Sequence, residues 1–242
     1  MTGPGLTIAG LPGVRAAIFD FNGTITDDEE LQYEVYAEIL AEHLGVVLER
    51  DTYFTDLAGR SDPAIVTAVL ERCDPAPAGP ARDALAARII EARVRRYAER
   101  VQDAPPVRPG AAALIRALAG RVPLAVGTGA FRAEVDLVLS AAGLAGAFDA
   151  IVTVEDVRAG KPDPETFLRA LDLLSRQAPT PSGRGPALRP ADVVVFEDSP
   201  FGIEAARAAG MRCVAAHLTS EAGAEAAGAV VGALGPELLA GP

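Results

Sequence analysis

Residues of a kind that can bind metal and phosphate stand at or just after several apolar runs of this chain. In chain order they are Asp20, Asn22, Thr128, Lys161, Glu197 and Asp198. Carboxylates suit a hard cation and can attack as nucleophiles, whereas a hydroxyl and an ammonium suit phosphate oxygens. Together these residue types indicate a reaction centre for phosphate chemistry.

A parallel sheet is the structure that would bring these residues together. The apolar runs predict strands, and helical spacing fills the intervals between them. The predicted strands are 14–19, 123–128, 149–154, 191–196, 212–216 and a last one at 229–231. Strand and helix in turn predict an α/β protein with helices on both faces of the sheet, and ligands bind outside the carboxyl ends of such strands.

One long helical block interrupts this alternation. Helical spacing begins at Asp28, returns near 62–72 and 81–101, and leaves no convincing strand in between. The block therefore predicts a helical insert. The predicted domains are a core of residues 1–27 and 106–242 and a helical cap of residues 28–105.

Composition excludes several classes of protein. A net charge of −11 over 242 residues argues against a nucleic-acid partner, because clustered Lys and Arg hold phosphate backbones. Cys73 and Cys213 lack the spacing of a disulfide framework or a zinc site. No apolar run approaches the roughly 20 residues of a membrane span, and no secretory start is visible, so we expect a cytoplasmic protein. For its oligomeric state we expect a monomer or homodimer. Segment 177–190, rich in Pro, Gly, Ser and Arg, predicts an exposed loop.

Four segments resemble the ordered motifs of the haloacid dehalogenase-like hydrolase superfamily. They are FDFNGTITD at 19–27, AVGTGA at 125–130, GKPDPETF at 160–167 and VVFEDSPFGIEAARAAG at 194–210. The insert after the first motif resembles the helical cap of the branch with β-phosphoglucomutase and phosphoglycolate phosphatase. The resemblance implies a Rossmann-like parallel-sheet core with an inserted α-helical cap.

The resemblance also implies roles for the acidic residues. Asp20 would be the nucleophile that forms an aspartyl-phosphate. Mg²⁺ would be held by Asp20, the main-chain carbonyl of Asn22 and Asp198, with Glu197 in support. Taken alone, Asp198 is also typical of a helix N-cap before PFGIEAA.

The second and third motifs imply contacts to the phosphate. Thr128 would donate to a phosphate oxygen, helped by N–H groups at the helix start after Gly129. Lys161 would offset the crowded negative charge. Outside these motifs, a Thr at a strand end is more often a cap, and a loop Lys is usually solvated.

Asn22 departs from the family pattern. Phosphatases of the family carry Asp at this position, where it protonates the leaving oxygen and then activates water. An amide cannot move a proton, and losing general acid–base help typically costs roughly 10² to 10⁴ in rate. The enzyme could be confined to good leaving groups, or borrow Asp27 or Asp28 as the proton donor.

Two other functions also stay open. One is haloacid dehalogenation or another carbon-centred displacement, and the other is a catalytically weak metabolite-binding protein. Gly23-Thr24 and the pair Glu197-Asp198 favour a metal site. We therefore predict a Mg²⁺-dependent phosphatase of a small phosphorylated metabolite.

The cap should supply the substrate contacts. DLAGRSDPAIV at 56–66 resembles the cap loop that faces the core, so we predict substrate contacts from Gly59, Arg60, Ser61 and Asp62. Arg60 would grip a second anionic group by a forked hydrogen bond. Equally, Ser61 or Asp62 could cap the helix before Pro63.

The Arg residues at 93–96 and Arg100 lie beside Glu91 and Glu99. Their spacing predicts a solvated, ion-paired face of the last cap helix.

Overall fold

A six-stranded parallel sheet forms the centre of the computed structural model, which describes residues 5–73, 76, 78–177, 188–218 and 224–239. The strands are β1 (Leu6–Ile8), β2 (Leu11–Val14), β3 (Ala16–Phe19), β4 (Leu124–Gly127), β5 (Ala150–Val152), β6 (Val193–Glu197), β7 (Arg212–Ala216) and β8 (Ala229–Val231). The large sheet has the order β5-β4-β3-β6-β7-β8, and each neighbouring pair is parallel. The predicted α/β fold class is confirmed.

The predicted strand at 14–19 is in fact two strands. β1 and β2 form a separate antiparallel hairpin, and β3 begins two residues after β2 ends. The hairpin turns at Ala9 and Gly10, both with positive φ (48° and 78°), as a tight two-residue turn requires. Arg15 marks the break between β2 and β3, which a run of apolar letters does not reveal.

The described part of the chain contains eight α-helices. They are α1 (Glu29–Leu44), α2 (Arg50–Thr52), α3 (Asp62–Glu71), α4 (Gly79–Val101), α5 (Pro109–Leu118), α6 (Arg132–Ala141), α7 (Glu165–Gln177) and α8 (Pro200–Ala208). A π-helical turn, Tyr53–Leu57, joins α2 to the loop before α3. No helix among the described residues combines the length and apolar character needed to cross a membrane.

Helices α1 to α4 follow β3 and pack around an apolar cluster of their own. Val35, Ile39, Val66 and Ile89 lie in that cluster and are fully or almost fully buried. The two ends of the segment meet, because Thr26 and Val107 form an antiparallel bridge. This closure supports our proposal that the cap is an insert at about residues 28–105.

The sheet is buried on both faces. β3, β4 and β6 consist entirely of buried residues, as expected for the central strands of a parallel sheet with helices on either side. Most of the predicted loop at 177–190, namely residues 178–187, lies outside the described residues.

Candidate active site

The carboxyl ends of three adjacent strands meet at one level. Phe19 of β3 is paired in register with Phe196 of β6 and with Val126 of β4. The residue after Phe19, Asp20, donates its backbone N–H to the carbonyl of Phe196 at 3.0 Å. Thr128 follows β4 in the same way, so the strand register itself gathers the polar residues at one edge of the sheet.

Three buried carboxylates converge at this edge. Asp20, Glu197 and Asp198 each present an oxygen within 4.8 Å of the others. Burial and repulsion from Glu197 together raise the pKa of Asp20 to about 7. The nearby ammonium of Lys161 offsets this increase only in part. Burial, together with repulsion from Glu197 and Asp20, also raises the pKa of Asp198 well above its usual value. A divalent cation would relieve this crowding of negative charge.

The backbone beside Asp198 is shaped around its carboxylate. Thr24 donates its hydroxyl to Asp198 Oδ1 at 3.0 Å. A Cβ placed on Gly23 (φ +77°) would lie 2.2 Å from Asp198 Oδ2, so only glycine fits there. This tight cradle and the oxygen-only donor set fit a hard cation such as Mg²⁺.

Lys161 is buried among the carboxylates. Its Nζ donates to Asp20 Oδ1 and, at 2.6 Å, to Glu197 Oε1, and its side chain is only 4% exposed. Burial lowers the pKa of Lys161, but the two carboxylates outweigh it, so the ammonium is held charged. A lone loop lysine would be solvated, and this one is not.

Glu197 supports the site from behind. Its Oε2 accepts hydrogen bonds from the N–H groups of Asp198 and Ser199, both at 2.9 Å, and from the Ser199 hydroxyl at 3.0 Å. The N-cap of α8 is Ser199, whose Oγ accepts from the Gly202 N–H at 3.1 Å. The N-cap alternative for Asp198 is therefore wrong.

Thr128 and Gly129 lie where the core meets the cap loop. Thr128 is buried, and its Oγ1 accepts the Ala130 N–H at 3.0 Å, which leaves its own proton available for donation. A Cβ on Gly129 would lie 3.2 Å from the Cα of Ser61. The core loop and the cap loop therefore touch at this point.

The cap loop lies over the strand ends. A Cβ on Gly59 would lie 2.7 Å from the Cβ of Ser199, and the Arg60 guanidinium stacks 4.9 Å from the centre of the Phe201 ring. Ser61 precedes α3 but makes no side-chain capping hydrogen bond. Asp62 instead accepts from the Tyr36 hydroxyl.

Asn22 is tied to a neighbouring carboxylate. Its Nδ2 donates to Asp28 Oδ2 at 2.8 Å. Asp27, by contrast, has a side chain that is 72% exposed and pairs with Arg108 at 2.8 Å. Asp27 and Asp28 therefore face different surroundings.

Arg93 does not lie on the predicted solvated face of the last cap helix. The prediction of a solvated face is wrong for this residue, which is 2% exposed and donates to Glu134 of α6 and Gln32 of α1. The available signal was its spacing of four residues from Ile89 and from Tyr97, which puts it on the buried stripe of α4. For the neighbouring Arg96 and Arg100 the ion-paired face is confirmed: Arg96 pairs with Glu38 and Glu42, and Arg100 pairs with Glu38 and Glu34.

One cleft is lined by both core and cap residues. Its lining includes most of the predicted site residues, and Ser61 and Glu197 lie outside it. The predicted residues in the lining are Asp20, Asn22, Gly59, Arg60, Asp62, Thr128, Gly129, Lys161 and Asp198. Glu29, Gln32, Tyr36 and Arg93 also line it, and none of these four was among the predicted site residues.

Comparison with known families and proteins agrees with this geometry. Residues 14–210 match the family model described as haloacid dehalogenase-like hydrolase. The chain is 34% identical over 197 residues to the fructose-1-phosphate phosphatase YqaB of Escherichia coli, covering 81% of this chain and 93% of that protein. It is 31% identical to the phosphorylated carbohydrates phosphatase of Thermotoga maritima, with 82% of each chain covered.

Among solved structures, CbbY from Rhodobacter sphaeroides in complex with xylulose-(1,5)-bisphosphate superimposes with a TM-score of 0.77. The match has 26% identity and covers 93% of this chain and 99% of that one.

Proposed function

The chain belongs to the haloacid dehalogenase-like hydrolase family, and on that basis we propose that it is a phosphatase that hydrolyses the phosphate ester of a small carbohydrate-like metabolite with the help of Mg²⁺. The observation that carries the proposal is that Asp20 and Asp198 lie together at the level ends of adjacent strands, with the Lys161 ammonium bound to Asp20. A nucleophile, a buried cation and an oxygen-rich cradle are what phosphoryl transfer to a carboxylate requires.

Asp20 is the proposed nucleophile. Its carboxylate attacks phosphorus in line with the ester oxygen, the bond from Asp20 to phosphorus forms, and the ester bond breaks. Water then attacks phosphorus, releases inorganic phosphate and regenerates the carboxylate. Lys161, held between Asp20 and Glu197, keeps Asp20 oriented and compensates negative charge on the phosphoryl oxygens.

Mg²⁺ would be held by Asp20, Asp198 and the main-chain carbonyl of Asn22. When bound, such an ion neutralises phosphate charge and orients the phosphoryl group. Glu197 contributes by holding Lys161 and the backbone after Asp198, since protein donors already engage both of its oxygens. Thr128 would donate its hydroxyl to a phosphoryl oxygen. The predicted help from N–H groups after Gly129 is not available, because the N–H groups of Ala130, Phe131 and Arg132 already donate to Thr128, Glu134 and Glu155.

The cap side of the cleft favours a polyhydroxylated substrate. Gln32, Tyr36, Arg60 and Asp62 line it, and these groups suit hydroxyls more than an apolar body. The relatives that are named as phosphatases of fructose 1-phosphate and of phosphorylated carbohydrates support the same choice. Arg60 lies exposed at the cleft and would bind a second anionic group where the substrate has one.

The test is a panel of sugar phosphates and halogenated acids, assayed for phosphate and halide release with Mg²⁺ and with a chelator. We expect phosphate release that needs Mg²⁺ and falls on the order of 10⁴-fold or more in Asp20→Asn. Asp27→Asn is the matched control, because Asp27 is exposed and outside the cleft lining.

Two results would contradict the proposal. Halide release without metal would indicate carbon-centred displacement. Ligand-dependent stabilisation without any phosphate release would indicate a binding protein.

A further inference from the structure

The proposed phosphatase reaction needs a group that moves a proton, and Asn22 cannot do so. The leaving ester oxygen must gain a proton, and the attacking water must lose one. Carboxylic acids do this work when they lie in the cleft and hold a proton near neutral pH. The question is which carboxyl group of this chain meets both conditions.

Neither Asp27 nor Asp28 lines the cleft, so neither meets the first condition. Asp27 is exposed and paired with Arg108 at 2.8 Å. Asp28 is buried, and four side chains donate to it. They are Asn22 at 2.8 Å, Thr26 at 2.5 Å, Tyr97 at 2.6 Å and Gln32 at 3.2 Å. These four donors surround the Asp28 carboxylate and leave little room for a substrate oxygen.

Glu29 has different surroundings. It stands in the first turn of α1 and lines the cleft together with Asp20 and Asn22. Its Oε2 is buried and accepts no hydrogen bond from any described residue. A buried carboxyl oxygen without a partner is costly in a folded protein, and a substrate atom in the cleft would supply the missing partner.

We propose that Glu29 is the catalytic acid–base residue of this enzyme and makes the proton transfers that Asn22 cannot make. The proposal rests on the proposed function, since it assigns the proton transfers of that reaction. As the ester bond breaks, the Glu29 carboxyl gives its proton to the leaving oxygen, which departs as an alcohol. Water then attacks phosphorus and passes a proton to the Glu29 carboxylate, while Asp20 is released.

The charges around Glu29 support this role. Burial raises its pKa to about 8, with repulsion from Asp28, Asp20 and Glu197 adding to the effect and Arg108 opposing it. Asp198 and Tyr53 also interact electrostatically with Glu29. The raised pKa favours the protonated carboxyl that a general acid needs at the start of the reaction.

Glu29→Gln tests the proposal, because it keeps the shape and removes the proton transfer. In single turnovers with a sugar phosphate, whose alkoxide needs a proton, we expect the rate to fall by roughly 10² or more. The nitrophenolate burst from p-nitrophenyl phosphate should stay within about two-fold of wild type, since that leaving group departs unprotonated. Glu30→Gln is the matched control, because Glu30 is exposed and pairs with Arg50 at 2.6 Å.

A rescue experiment separates proton transfer from structural support. Adding Asn22→Asp to the Glu29→Gln enzyme returns a carboxyl to the position that the family uses, so sugar-phosphate turnover should recover at least ten-fold. Glu29→Ala provides a second variant, in which added formate should restore part of the rate.

Two results would overturn the assignment of Glu29 as the acid–base residue. In either case the proposed phosphatase function stands if Asp20→Asn is inactive in the same assay. One is an unchanged sugar-phosphate rate in Glu29→Gln. The other is an equal loss of rate on both substrates with no rescue.

Discussion

The side-chain amide of Asn22 donates to the carboxylate of Asp28 at 2.8 Å. This bond uses one of the two Nδ2 protons, and Oδ1 is the acceptor that Asn22 can present elsewhere. An oxygen of an amide accepts a hydrogen bond but holds no proton to give. Asn22 can therefore orient a hydroxyl of the substrate or a water, and Asp28 fixes the direction in which it does so.

Asp28→Asn should disturb both stability and catalysis. The new amide would present NH₂ to some of the donors that now meet a carboxylate, and each mismatched buried group costs about 1–3 kcal/mol. We expect a lower melting temperature and a lower kcat/KM on a sugar phosphate. Asp27→Asn changes the adjacent, exposed carboxylate and should leave both quantities nearly unchanged. Equal melting temperatures for the two variants would show that the network around Asp28 is unimportant.

Gly23→Ala should weaken metal binding. Its Cβ would lie 2.2 Å from Asp198 Oδ2, so either the loop or the carboxylate must move. Displacing a ligand in this way typically lowers metal affinity by about 10- to 100-fold, which a calorimetric titration with Mg²⁺ would measure. Gly120→Ala is the control, because it has a similar φ (+75°) and no atoms near the added Cβ. Identical Mg²⁺ affinities in the two variants would refute a metal site at Asp198.

Arg93→Met should destabilise the protein by about 3–5 kcal/mol, because Glu134 and Asp62 would lose the buried cation they share. Urea unfolding would measure the loss. Arg96→Met removes a neighbouring arginine from the same helix, but that side chain is 27% exposed and its partners are at the surface. We expect a loss of at most about 1 kcal/mol there. Similar losses for both would mean that the buried pairs contribute no more than surface pairs.

Much of the site follows from local patterns. Asp20 comes directly after an apolar run, Thr128 and Asp198 come two residues after one, and a parallel sheet places the ends of such runs together. Glu29 and Arg93 lie on helices. The spacing of Arg93 from Ile89 and Tyr97 indicates the buried stripe of α4, whereas the sequence around Glu29 shows only an acidic first turn. Which residues these side chains meet depends on how the helices dock on the core, and no local pattern encodes that docking.

The fold could be predicted to a similar extent. Strands β4, β6 and β7 are five residues or fewer but wholly or mostly buried, and each contains an apolar run of at least three residues. The β1–β2 hairpin escaped prediction because its strands have three and four residues and include Pro12 and Gly13. Residues of low strand propensity form strands there because the hairpin packs on the sheet core through Ile8 and Val14.

Asp192 should make stability depend on pH in the acid range. Asp192 accepts hydrogen bonds at 2.9 Å from the guanidinium and from the backbone N–H of Arg189. These bonds and the nearby Arg15 outweigh the effect of burial and lower the pKa of Asp192 to about 2. A lowered folded-state pKa stabilises the protein above the unfolded-state pKa, and this contribution disappears as pH falls through about 2. Asp192→Asn should therefore cost about 1–2 kcal/mol at pH 7, and the difference from wild type should shrink steadily below about pH 4. Urea unfolding at a series of pH values would measure it, with the exposed Asp136→Asn as control. A difference that stays constant from neutral to acid pH would show that ionisation of Asp192 does not stabilise the fold.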